Sequence, residues 1–449
     1  MKSQRLRPLV HVTRGRCAAL AILAVSLAAG GCGAGTPAPR TGWLDGSPAA
    51  ADAENHVAAD ERFGASDGRL KETGVPAPGI AAKPVTIDRE PTPTTAALEG
   101  LKAGSVDDNV AFDAFLKYRT GFLDKKLDAH DIDVSRRVLV HVKNAAGEPI
   151  LGADVTIVSP DGTVLGSARS DVHGLAVLFP EVTTGTQQAQ GLLRIDAKLG
   201  EAKATTNVAD RSDESNMVLA TDAVAPKALD VLFLIDATGS MGDEITRLRD
   251  TMASVSERVS KLPGAPDVRF GLTVFRDRGD AFVTRTFDFT GDVSKIETAL
   301  KDVEAGGGGD TPESVNAGLH DALAKPTWRD DSGTVRLVFL IGDAAPHLDY
   351  QSDPDYISSA RDAAKRGIAI EPIASSGLDD QGEYIFRQTA LLTGGRFSFL
   401  TYGADGESPG TTTKHHVSGY DTLSLDDLVV RMIQDEIGAK DTAPTPQQP

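Results

Sequence analysis

Val231-Leu-Phe-Leu-Ile-Asp-Ala-Thr-Gly-Ser-Met241 is the stretch on which the fold of this chain turns. Its five leading apolar residues predict a parallel strand buried on both faces. Polar oxygens follow at alternate positions, on Asp236, Thr238 and Ser240. In an open α/β sheet, ligands gather at the carboxyl ends of the strands. One carboxylate and two hydroxyls at such an end suit a hard divalent cation.

Two later segments extend the pattern. Gly306-Gly-Gly-Gly-Asp-Thr-Pro-Glu313 is a flexible loop that brings a carboxylate and a hydroxyl to the start of a helix, and Arg336-Leu-Val-Phe-Leu-Ile-Gly-Asp343 is a second buried strand ending in an acid. In this order, the three segments resemble the metal motifs of the von Willebrand factor A domain family. That family opens with Asp-x-Ser/Thr-x-Ser and completes a metal-ion-dependent adhesion site with a loop Thr and a later Asp. The resemblance assigns those roles to Thr311 and Asp343, with Asp310 as the competing loop ligand. The family's last motif is Thr-Asp-Gly; here Gly342-Asp343-Ala344 keeps the ligand and changes its loop.

The resemblance also implies a mechanism. Hydroxyls would hold Mg2+ directly while the acids act largely through water, which leaves a strongly electrophilic ion whose open position attracts an outside carboxylate. Ca2+ and Mn2+ are the alternatives. The implied function is non-catalytic, the capture of an acidic residue on a protein partner. The simpler reading, that Asp236, Thr238 and Asp343 only cap helices, leaves the coincidence of three ordered motifs without a cause.

An enzyme reading starts from the same residues. Asp236-Ala-Thr-Gly-Ser240 also resembles the phosphoaspartyl motif of P-type ATPases and haloacid dehalogenase-type phosphohydrolases, with Asp236 as nucleophile. Gly342-Asp343 is similar to their metal-binding Gly-Asp. That class carries a further Asp four residues on, where this chain has His347, and an acid two residues after the nucleophile, where it has Thr238. His-Glu-x-x-His and a Walker lysine after the glycine loop are missing from the sequence. An envelope scaffold whose metal only stabilises the fold is the third reading.

The chain has 449 residues, enough for two or three domains, and two cysteines, Cys17 and Cys32. Lys2, Arg5, Arg7, Arg14 and Arg16 precede an apolar stretch, Cys17 to Ala29, that is short for a membrane span. Ala28-Ala-Gly-Gly-Cys32 resembles a bacterial lipobox, which implies a signal peptide over 1–31, lipidation of Cys32 and an exported protein anchored to the cell envelope through lipid. The formal charge is −18. Residues 1–31 hold five basic residues and no acids, so the remainder carries −23. So acidic a surface repels nucleic acid and gains nothing from anionic lipid.

Along the chain, residues 32–104 are rich in Ala, Gly, Pro and Thr and read as a disordered tether. Phe112, Phe115, Leu116 and Leu123 have helical spacing and place an amphipathic helix and connector over 105–135. Alternating Val138, Val140 and Val142 open a β segment over 136–222, with turns at Ala146–Pro149 and Asp161-Gly162. This segment resembles the prealbumin-like regulatory domains of carboxypeptidases, through Gly147-x-Pro149, Gly152-Ala153-x-Val155 and Asp171-x-x-Gly174. Lys143 and Asn207 are candidates for an isopeptide pair in such a sandwich. From 228 to 437 strands alternate with helices, which predicts a doubly wound, mostly parallel α/β sheet preceded by a small all-β sandwich. Within it, Met241, Ile245, Leu248, Met252, Val255 and Val259 form a helical stripe, and 282–289 reads as an edge strand. Residues 438–449 read as a disordered tail. Arg278-Gly279-Asp280 is an integrin-type tripeptide expected by chance, and His415-His416 lacks a spaced partner for a zinc site.

Overall fold

The computed structural model describes residues 43–46, 101–180, 192–208, 214–223, 225–262, 266–309, 311–401, 415–417, 420 and 422–439. Cys32 and the leader, Asp310 and residues 440–449 lie outside them. In chain order come β1 (Trp43–Gly46), β2 (Lys102–Val106) and α1 (Phe112–Asp124). A small β domain follows, with β3 (Val138–Lys143), β4 (Asp154–Val158), β5 (Val164–Arg169), β6 (Leu175–Leu178), β7 (Leu193–Leu199), β8 (Ala202–Val208) and β9 (Glu214–Val218). The large domain then opens with β10 (Ala228–Asp236), α2 (Gly242–Ser260), β11 (Asp267–Phe275), β12 (Thr284–Thr290), α3 (Val293–Lys301) and α4 (Val315–Ala324). It closes with β13 (Thr334–Gly342), α5 (Tyr356–Arg366), β14 (Ile368–Ala374), α6 (Asp380–Thr393), β15 (Phe397–Thr401), β16 (Leu423–Ser424) and α7 (Leu425–Glu436).

The central sheet has nine strands in the order β1-β12-β11-β10-β13-β14-β15-β2-β16. Strands β11, β10, β13, β14 and β15 are mutually parallel, and antiparallel pairs flank them on both sides. All nine residues of β10 are buried, as the apolar run predicts. Because strand side chains alternate, one set of residues feeds two cores. Leu229, Val231, Phe233 and Ile235 pack with α2, α3 and α7, whereas Leu232 and Leu234 pack with α1, α4, α5 and α6. Fully burying each such side chain contributes about 1.5–3 kcal/mol. The stripe from Met241 to Val259 is buried at every position named for it.

Three expectations change. The stretch read as tether supplies β1, and its end overlaps β2, which pairs with β15 from Phe397↔Val106 to Thr401↔Lys102. The large domain is therefore not one continuous segment; the β domain is inserted between its first strands and β10. A four- or five-residue strand held by pairing leaves little mark on composition, and Lys102-Ala-Gly-Ser lacks an apolar alternation. Glycine is required at 104, where a Cβ would lie 2.5 Å from the Tyr420 ring. Strand β12 is not the edge, since β1 covers it.

Helix α1 packs through Phe115 and Phe122 on the large domain, with the Phe122 and Tyr384 rings stacked at 3.8 Å. In the β domain, sheets β6-β3-β9 and β5-β4-β7-β8 share a core that includes Val138, Val140, Val142, Val155 and Ile157. Lys143 and Asn207 fall in different sheets, and Asn207 is exposed. This domain rests on the amino ends of β13 and β14. Arg169 there meets Asp330 at 3.1 Å, and a Cβ on Gly152 would lie 2.2 Å from the Ser332 carbonyl oxygen. Among the described residues no helix is long and apolar enough to cross a membrane.

Candidate metal centre

The connections of β10 and β13 leave in opposite directions, so their carboxyl ends bound the crevice where an α/β sheet places ligands. Register sets Ile235 against Ile341 and Asp236 against Phe275. Three neighbouring strands thus end near one level, with Asp236 as the last residue of β10, Asp343 just after β13 and Asp277 two residues beyond β11.

Asp236 is fully buried. Its Oδ1 accepts from the Thr238 amide at 2.9 Å and the Thr238 hydroxyl at 2.7 Å, and its Oδ2 has no partner. The Thr238 and Ser240 hydroxyls lie 3.2 Å apart, and Ser240 also bonds Asp343. The structure therefore brings Asp236, Thr238, Ser240 and Asp343 together.

The glycine loop is laid over this motif by its backbone. Gly306 N–H donates to the Ala237 carbonyl at 3.0 Å, and Gly239 N–H to the Gly307 carbonyl at 3.1 Å. Asp280 fixes the loop by accepting from Gly308 N–H at 2.9 Å, so the carboxylate of the Arg-Gly-Asp tripeptide is occupied internally. Gly307 has φ +76°, and a Cβ on it would fall 2.2 Å from the Asp280 carboxyl carbon.

What this loop contributes differs from expectation. Thr311 is exposed, whereas Glu313 is buried. Glu313 N–H donates to the Ala345 carbonyl and its own carbonyl accepts from His347 N–H, both at 3.0 Å, which ties the loop to the exit of β13. Its carboxylate lies beside Gly308 and in the field of Asp236, Asp277 and Asp343. Sequence reasoning chose Thr311 by family pattern and passed over Glu313 two residues on. It also missed Glu244 of α2, whose Oε1 accepts from Ser376 N–H at 3.2 Å, and Asp277, which accepts from the Ser314 hydroxyl at 2.8 Å and from Tyr350. An acid two residues beyond a buried strand was the available signal for Asp277.

The electrostatics is that of a cluster short of positive charge. Burial, then the charge of Asp343, pushes Asp236 up to about 7. Burial, then Asp236 and Asp277, pushes Glu313 up to about 8. Asp343 is raised by burial and by Glu244. Asp236 Oδ2, Asp343 Oδ1, Glu313 Oε2 and Glu244 Oε2 are buried without a hydrogen bond. Unpartnered carboxylate oxygens are costly in a protein interior, and a cation removes that cost. The donors are oxygens throughout, which fits a hard divalent ion.

Comparison with known proteins finds partial similarities. Residues 230–383 match the sequence model of the von Willebrand factor A domain. The chain is 25% identical over 227 residues to alpha-protein kinase vwkA of Dictyostelium discoideum, covering 50% of this chain and 35% of that protein. It is 23% identical over 189 residues to the putative ariadne-like RING finger protein R811 of Acanthamoeba polyphaga mimivirus, covering 38% and 18%. The chain thus spans about a third or less of the length of these relatives. Similar solved structures include the vWF domain of the type V pili tip protein Mfa5 from Porphyromonas gingivalis, at 16% identity and TM-score 0.32, covering 50% of this chain and 99% of that one. Another is proximal thread matrix protein 1 from the mussel byssus with a zinc-occupied MIDAS motif, at 16% identity and TM-score 0.32, covering 47% and 45%.

Proposed function

We propose, from the von Willebrand factor A-type domain over residues 230–383, that this chain binds a divalent cation and uses it to hold an acidic side chain of a protein partner. Thr238 and Ser240 would supply hydroxyl ligands, and Asp236, Asp343 and Glu313 the neutralising carboxylates. Mg2+ is the ion we assign, with Mn2+ and Ca2+ as competitors. A bound ion there would supply Lewis acidity toward an outside carboxylate. The observation that carries this reading is the set of buried, unpartnered carboxylate oxygens around two hydroxyls. The protein's own part is to fix that set. Strand ends hold Asp236 and Asp343, and the backbone-pinned glycine loop holds Glu313.

We also propose that the chain is lipidated at Cys32 and displayed at a bacterial envelope, that it does not bind nucleic acid, and that it acts by binding and not by turnover. The test is capture of partners from envelope extract with the full-length protein, in Mg2+ and in chelator. Calorimetry of Mg2+ on wild type and Asp236→Ala accompanies it. Capture that needs the metal, with affinity for Mg2+ lost in Asp236→Ala, is the expected result. Metal-independent capture, or a phosphorylated Asp236, would sink the proposal.

A further inference from the structure

We propose that Asp380, Glu383, His415 and His416 form a second metal centre, distinct in its residues from the first and suited to Zn2+.

Asp380 and Glu383 lie at the start of α6, at the i, i+3 spacing that puts two side chains on one helix face. Asp379 fixes that start by accepting from Gly382 N–H at 2.8 Å. The two histidines come from residues beyond β15. His416 is seated by its backbone, whose N–H donates to Glu383 Oε1 at 3.0 Å and to Oε2 at 3.1 Å. Its Nδ1 lies 3.2 Å from Glu383 Oε2 and 3.8 Å from Asp380 Oδ1. The side chain of His415 is 5% exposed, and its ring stands 5.0 Å from that of Phe399 and 5.6 Å from that of Phe397. That packing aims Nδ1 at Glu383 Oε2, 3.4 Å away, where it makes no hydrogen bond.

Zinc bound tetrahedrally at about 2.0–2.1 Å requires neighbouring donor atoms about 3.3–3.4 Å apart. The three separations, 3.2, 3.4 and 3.8 Å, bracket that value. Two imidazoles with two carboxylates are a zinc set and a poor magnesium one. Among the described residues, this is the place where three such donor atoms, on Asp380, Glu383 and His416, lie within 4.8 Å of one another. Outer contacts hold the donors in place. Arg387 donates to Glu383 Oε1 and to the His416 carbonyl, both at 3.1 Å, and is itself paired with buried Asp108.

One cation already stands at the rim. Lys125 Nζ is 2.5 Å from Asp380 Oδ2 and 3.4 Å from His416 Nε2. Its side chain is 43% exposed and free to swing into solvent. Zinc and Lys125 therefore compete. The rival account is a network of imidazoles and cations around two acids that needs no metal.

The experiment uses full-length protein carrying Asp236→Ala to silence the first site, stripped with chelator and held in excess Mg2+. Zinc is titrated against a chromophoric chelator, and Co2+ absorption reports coordination. The expected result is one equivalent of Zn2+ and a tetrahedral Co2+ band. His416→Ala should weaken binding roughly 10-fold or more, in line with losses on disturbing a metal shell. Combined His415→Ala and His416→Ala should abolish it, and Lys125→Ala should tighten it. No zinc uptake by the histidine-intact protein, or uptake unchanged in His416→Ala, overturns the proposal. His416 is half-exposed, so the single variant keeps the test decisive if the double one fails to fold.

Discussion

At the scale of the residue, the acidic cluster carries a stability cost that a bound cation would remove. Asp236 is raised to about 7 and Glu313 to about 8, against unfolded values of about 4. Between those limits the metal-free folded protein holds more protons than the unfolded chain, so its stability falls as pH rises. Melting in chelator from pH 5 to 8.5 should show a declining midpoint that saturating Mg2+ restores. A flat profile in chelator would count against the cluster as charged and cation-poor. Asp236→Asn and Glu313→Gln should each flatten the decline and stabilise the metal-free protein at pH 8, by on the order of 1–4 kcal/mol. Both should lose most Mg2+ affinity. Thr311→Ala, at an exposed position, should leave Mg2+ affinity within about twofold. Equal losses in Thr311→Ala and Glu313→Gln would return the loop ligand to Thr311.

At the scale of the element, the apolar run before Asp236 and the stripe after Ser240 were legible because burial on two faces, or on one helical face, leaves a periodic trace. The polar residues at the strand ends were legible for the same reason, since the apolar run stops where they begin. Glu313 was not, because its burial is settled by backbone bonds to Ala345 and His347, made across about 30 residues of chain. The partners of His415 and His416 were invisible too, since Asp380 and Glu383 meet them only through tertiary packing. Ion pairs that close strand ends show the same limit. Asp230 of β10 is fully buried and is bound by Arg269 of β11 at 2.7 Å and by Arg329, from the segment before β13, at 2.8 Å. Removing one member of such a network leaves uncompensated charge. Asp230→Ala should cost about 3–5 kcal/mol in denaturant unfolding, with the slope unchanged. A loss below 1 kcal/mol would mean the arginines are already satisfied by the backbone.

At the scale of the whole molecule, the β domain and the metal centre lie at opposite ends of the sheet. Gly152 has φ +75° and sits 2.2 Å, by its would-be Cβ, from the Ser332 carbonyl. Gly152→Val should therefore strain the contact by roughly 1–3 kcal/mol and speed proteolysis between the domains while leaving Mg2+ affinity unchanged. A large fall in Mg2+ affinity would show that the domains are coupled. Export is tested apart from all this. Wild type should take up an acyl label that Cys32→Ser does not, and an unlabelled wild type would end the lipoprotein reading. The insertion of the β domain also sets a timetable. Strand β2 leaves the ribosome early, yet its partner β15 is made about 290 residues later. At about 5–20 residues per second that is a wait of about 15–60 s. For that time β2 is unpaired, and once β9 is made a complete β domain follows it in the chain, so errors of assembly should arise at the β2–β15 seam before they arise at the strands that end in the acidic cluster.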